Sequence, residues 1–348
     1  MGMEGKLRDD RLDIYRGFFM IYILSVVHLI YWLRIEFIAP YIKGLFLIEM
    51  PIVFYVSGWA FSISSKKIYL KYLANRLKRI LIPYYIFVLL ISLLLIVLSF
   101  FSSIDYVNQV YTKKYWIDSF LLSSPSSSAI WFVKIYLIIS LLAPLIYQLR
   151  NHLKFFFFFT LFALFIARYY GLPNYLYYIF CYGFFFLAGI CHKKILSAIS
   201  IKTKFFYSSI SLLIILFLLF FCDYDIDMQS NKFPPSLLFF SYNVFFLLIF
   251  GGQISKACVS LCHNKFIYKI VHIYAKEGYL IYLYQIILFY PLRLIFMKLH
   301  EANVNYHIPI EILLVLLSFI YIILSGALLG YVIGTIRKKI CSFIVARY

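Results

Sequence analysis

Residues Gly17–Leu33 read GFFMIYILSVVHLIYWL and carry one side chain that can charge near neutral pH, His28. As a helix this stretch is about 25 Å long, close to the thickness of a bilayer's hydrocarbon core. A charged group placed there costs at least about 2.5 kcal/mol, so ionisable residues at membrane depth face a protein interior or a wet cavity. His28 is therefore the first place to look for chemistry. Arg16 stands at the mouth of the same stretch, and Glu49 opens the next apolar one.

The rest of the chain has the same character. Of 348 residues, 64% are hydrophobic and only 14% charged, whereas a soluble domain is nearer half apolar and a quarter charged. Near-uncharged runs recur at roughly 17–35, 44–63, 80–101, 130–149, 155–170, 176–190, 205–222, 236–254, 278–297 and 309–334. They predict an all-α, polytopic integral membrane protein of about ten transmembrane helices. The fifth and sixth runs are short, which suggests tilted, kinked or re-entrant segments. Loops are short too, so residues 1–348 are expected to form a single membrane domain. Cys258 to Glu277 is expected to connect two spans as an amphipathic helix on the membrane surface.

A net charge of +19 would suggest nucleic acid in a soluble protein. Here the basic residues lie in short clusters between spans, so topology explains them and no nucleic acid is expected. With the N-terminus inside, segments expected to be cytoplasmic hold about three times as many lysines and arginines as those opposite. That bias places both termini in the cytoplasm. The first span lacks a small-residue cleavage site and reads as an uncleaved anchor. Six cysteines show no disulfide-framework spacing, and Cys258, Cys262 and His263 lack an obvious fourth ligand, so no metal is expected.

Depth arithmetic puts His28 about 10 Å below the outer end of span one and Glu49 roughly 8 Å below the outer end of span two. If those faces pack together, the carboxylate would orient the imidazole and raise its basicity, which suits a general base acting on a hydroxyl. The alternative is a structural hydrogen bond between helices. Lys134 lies near the outer end of span four, where its stem can snorkel to the interface. Arg76, Lys78 and Arg79 precede Pro83 at the inner mouth of span three. They suit the phosphates of an anionic cofactor, and they also stand where topology alone would place positive charge.

Read in order, these residues resemble the membrane-bound acyltransferase 3 family. The opening Arg11-Leu12-Asp13-Ile14-Tyr15-Arg16-Gly17 and the apolar run to His28 are similar to that family's first helix. Met50-Pro51, the aromatic run and Ser57-Gly58 resemble its second, and Arg76 to Tyr84 its basic entry to helix three. Trp131-Phe132, Phe186 to Gly189 and Tyr279 to Gln285 fit as well, so the resemblance covers nearly the whole chain. It implies transfer of an acyl group, usually acetyl from cytoplasmic acetyl-CoA, onto a hydroxyl of a cell-surface polysaccharide or its lipid-linked precursor. It further implies a catalytic role for His28, an essential Arg16, and donor binding by Arg76 and Arg79, in a multi-pass protein of the cytoplasmic membrane whose partners are membrane lipid, acyl-CoA and a carbohydrate acceptor.

Two departures from the family pattern stand out. Eleven residues separate Arg16 from His28 where the family has ten, which turns the arginine about 120° away on a regular helix unless its reach or a π-bulge restores the alignment. Glu49 and Gln285 also stand where many relatives have histidines. A transporter or flippase for a glycan or its lipid carrier is the rival reading, because a buried His and Glu also suit proton coupling. Against it, the chain shows neither repeated halves nor paired Gly/Pro-broken helices. A scaffold for a polysaccharide synthase is the third reading.

Overall fold

The structure, a computed structural model, describes residues 10–33, 35, 38–63, 69–100, 109–122, 131–193, 200–301 and 308–345. Among them the secondary structure is helical throughout, apart from one isolated bridge between Lys232 and Pro235. Arg34, the serine-rich stretch before Ala129, and the basic residues Lys6, Arg8, Lys66, Lys67, Lys194 and Arg347 lie outside the described residues.

The helices are α1 (Asp10–Trp32), α2 (Glu49–Ile63), α3 (Tyr69–Ser99) and α4 (Lys113–Phe120). Then come α5 (Trp131–Gln148), α6 (Leu153–Tyr169), α7 (Asn174–Ile190) and α8 (Ile201–Phe221). The chain ends with α9 (Leu237–Leu261), α10 (Lys265–Leu283), α11 (Gln285–Glu301) and α12 (Ile308–Val345). Several starts are written in the sequence as capping side chains. Thr112, Ser200, Ser236 and Asn264 each accept a backbone N–H of the following first turn, which satisfies donors that the helix itself leaves open.

Seven helices are long and apolar enough to cross a bilayer, or eight if α10 and α11 are counted as one bent span. The expectation of ten spans counts two further, shorter helices and takes the bent pair as one span. Helices α6 and α7 have only 17 residues each, at the lower limit of length for a crossing. The expected ninth span, 278–297, is in fact two pieces that meet at Tyr284 with a 69° bend. The expected surface helix before it is also corrected: residues 265–283 form one continuous helix packed against α1 and α12. Helix α3 starts well before its apolar part, so Arg76, Lys78 and Arg79 ride on a helical extension and not in a loop.

Basic residues gather at one end of the bundle, where α1, α3, α6, α8 and α10 begin. We call this the basic end and its opposite the far end.

Close helix crossings rest on glycine. Gly58 of α2 and Gly189 of α7 face each other's helices so tightly that a Cβ on Gly58 would fall on the Phe186 carbonyl, and one on Gly189 on the Tyr55 carbonyl. Small residues at such crossings let backbones approach within the membrane. Gly17 does the same for α1 against the Val271 carbonyl of α10. Changing Gly58 to Leu should therefore separate α2 from α7 and lower stability by about 1–3 kcal/mol, the usual cost of overpacking. Thermal unfolding in detergent checks this, and an unaltered transition would contradict the crossing.

Candidate active site

The far end holds an open cavity of about 360 Å³, and His28 lines it. The imidazole arrives there through a local irregularity. Residues Ile23–His28 of α1 form a π-helical turn, and the Ser25 hydroxyl donates to the Ile21 carbonyl beside it at 2.8 Å. A π-turn takes up one extra residue, so the helix beyond it resumes the register of a chain one residue shorter. The additional position between Arg16 and His28 is absorbed in this way.

Three aromatic and polar neighbours fix the ring. Trp32 lies parallel to it at 5.8 Å and 9°, and Tyr282 is tilted against it at 5.5 Å. His28 Nδ1 meets Gln285 Oε1 at 2.5 Å. A carbonyl oxygen only accepts, so Nδ1 carries the proton and Nε2 keeps the lone pair. Gln285 is the first residue of α11, and the bend at Tyr284 delivers its side chain to this position. The break in the ninth span is therefore part of the site.

Glu49 does not orient the imidazole. Its Oε1 forms a buried ion pair with Lys232, while Oε2 has no hydrogen-bond partner among the described residues. Both side chains are nearly sealed, at 0% and 7% exposure. Lys232 escaped the sequence reading because a lysine in an outer loop looks solvated. The loop is instead tightly built. Asp225 Oδ1 accepts the Asp227 N–H, Asp227 Oδ1 accepts the Gln229 N–H, and Asn231 bonds both the Asp225 carbonyl and the Ser236 hydroxyl. These turns lay Gln229, Lys232 and Phe233 along the cavity, and Phe233 packs edge-on against Trp131 at 5.1 Å. Tyr31, Trp131 and Tyr178 complete the aromatic wall, and among the described residues the Tyr31 hydroxyl has no hydrogen-bond partner.

Arg16 belongs elsewhere. It lies about 18 Å along α1 from His28, half-buried beside Asp13 at 3.4 Å. Tyr136 of α5 is within electrostatic reach of both Arg16 and Arg76, and Ser57 donates to its hydroxyl at 3.3 Å. The Arg76 guanidinium stands 5.6 Å from the centroid of the Tyr72 ring. Of the expected basic trio, Arg76 turns inward, whereas Lys78 and Arg79 are exposed. Two clusters thus stand apart along the bundle. Ring contacts connect them, from Tyr136 to Phe132 at 6.3 Å, from Phe132 to Tyr282 at 4.8 Å, and from Tyr282 to His28. Lys134 is exposed near the start of α5. Among the described residues, no group of three or more His, Cys, Asp or Glu side chains is placed to hold a metal.

A family model described as an acyltransferase domain matches residues 9–342. No curated protein and no solved structure gives a significant match.

Proposed function

The chain belongs to the acyltransferase 3 family, and from that premise we propose that this membrane acyltransferase moves an acetyl group from cytoplasmic acetyl-CoA to a hydroxyl of a cell-surface glycan or its lipid-linked precursor, in the cytoplasmic membrane. The observation that carries the reading is His28 at a cavity, with its Nδ1 against Gln285 Oε1. Nε2 accepts the hydroxyl proton as the oxygen forms its bond to the thioester carbonyl. When the tetrahedral intermediate collapses, the carbon–sulfur bond breaks and the departing thiolate takes that proton back.

Arg76 and Arg16, joined through Tyr136, receive the donor's phosphates at the basic end, and Lys78 and Arg79 add positive charge at the exposed entrance. The pantetheine arm follows the column from Tyr136 past Phe132 to Tyr282, whose rings turn aside to admit it. The acceptor enters from the far end, where flat aromatic faces and the unpartnered Tyr31 hydroxyl suit a polyol. Arg16 binds donor in this scheme and does not touch the reacting atoms. Glu49 and Lys232 hold the loop that forms one wall.

Sealed vesicles containing oriented protein test the arrangement. Acetyl ester should form on a far-end oligosaccharide when acetyl-CoA is supplied at the basic-end face, with one thiol released per ester. Product only when donor and acceptor share one face would overturn it, as would glycan crossing the vesicle without thiol release.

A further inference from the structure

Away from His28, helices α6, α7, α8 and α9 enclose a separate groove of about 100 Å³. Its floor is made by Phe157, Phe184, Ala188 and Val244, all buried, with Leu248 along one side. A water on that floor would find no polar partners, whereas a hydrocarbon chain would find continuous contact. The groove runs toward the basic end, because α6 and α8 both begin there. Lys154, in the first turn of α6, and Lys204, in the first turn of α8, also line it. Among the described residues neither lysine forms an ion pair.

We propose that this groove binds an anionic phospholipid of the surrounding bilayer, one acyl chain lying on Phe157, Phe184 and Val244 and the phosphate lodged between Lys154 and Lys204. The pairing of features decides the ligand class. Free phosphate or a nucleotide would leave the apolar floor uncovered, and a zwitterionic lipid would add a cation beside two ammonium groups. Basic pockets between transmembrane helices are suited to anionic headgroups on these grounds. The site lies outside the His28 cavity and stands whether or not the acyl-transfer reading does.

The test titrates the purified full chain, in neutral detergent, with phosphatidylglycerol or phosphatidylcholine of identical chains. Native mass spectrometry and thermal unfolding report binding. Wild type should bind phosphatidylglycerol about tenfold more tightly, since each lysine near a headgroup contributes appreciably. Lys154→Gln with Lys204→Gln should abolish that preference while leaving weak binding of both lipids. Lys265→Gln with Lys269→Gln, exposed basic-end lysines outside the groove, should keep it. Leu248→Trp, which fills the channel from a partly buried position, should weaken both lipids together. Equal binding of the two lipids by wild type would overturn the proposal. So would a preference that survives loss of Lys154 and Lys204, or lipid binding unchanged by Leu248→Trp.

Discussion

Replacing Lys232 with Met should destabilise the protein by about 3–5 kcal/mol, the cost of leaving one member of a buried ion pair without its partner. Glu49 is fully buried and, among the described residues, one of its oxygens already lacks a hydrogen bond, so the carboxylate would be left without the ammonium that balances it. The loop that carries Lys232 is tied by its own turns, and it reaches the helices through this pair and the Phe233–Trp131 contact as well as through Met228 and Tyr224, which are buried in the core. The cavity wall should therefore loosen and activity should fall with stability. Removing both charges is a different matter. Lys232→Met combined with Glu49→Leu eliminates the desolvation cost of two ions, and such replacements are often neutral or stabilising. Thermal unfolding of the single and double variants separates the cases. A single variant that melts with wild type would show that the pair does not anchor the loop.

That pair also marks where reading from sequence stops. Glu49 was legible as a buried carboxylate, and its depth was close to that of His28. Depth alone does not say which neighbour it faces, and its partner lies 183 positions away in a loop. Lys232 gave no signal, because a lysine among aspartates beyond a span looks solvated. Asp225 and Asp227 shape the loop through side-chain turns.

The membrane class followed from composition because hydropathy reports it directly. Span boundaries were harder. Hydropathy is continuous across Tyr284, so the 69° bend that presents Gln285 was invisible. The cytoplasmic-looking start of α3 was missed for the opposite reason: Lys71 to Arg79 is polar, yet its Lys, Arg, Ala and Leu are good helix formers. The extra residue between Arg16 and His28 was visible as an anomaly, and the π-turn at Ile23–His28 supplies its physical account. Gly17 was legible only as a member of the opening motif. Its role against the Val271 carbonyl needed the packing of α10.

The second large effect concerns His28 itself. His28→Asn is the informative change, because the Asn amide nitrogen can still donate to Gln285 Oε1 as Nδ1 does, while nothing takes the place of Nε2. The fold and the Gln285 contact are thereby spared and the base alone is deleted. General-base catalysis typically contributes 10²–10⁴ in rate, or about 3–5 kcal/mol of barrier at 1.36 kcal/mol per tenfold. Turnover should drop by that factor with the unfolding temperature close to wild type. Gln285→Ala should cost less, since it frees the ring to rotate but leaves the lone pair in the cavity.

Release of free thiol from acetyl-CoA by purified protein in the presence of a glycan acceptor, wild type against His28→Asn, tests the central claim most directly. Thiol release falling at least a hundredfold in a variant that still folds is the result expected. Wild-type turnover in that variant would show that the imidazole takes no part in the chemistry.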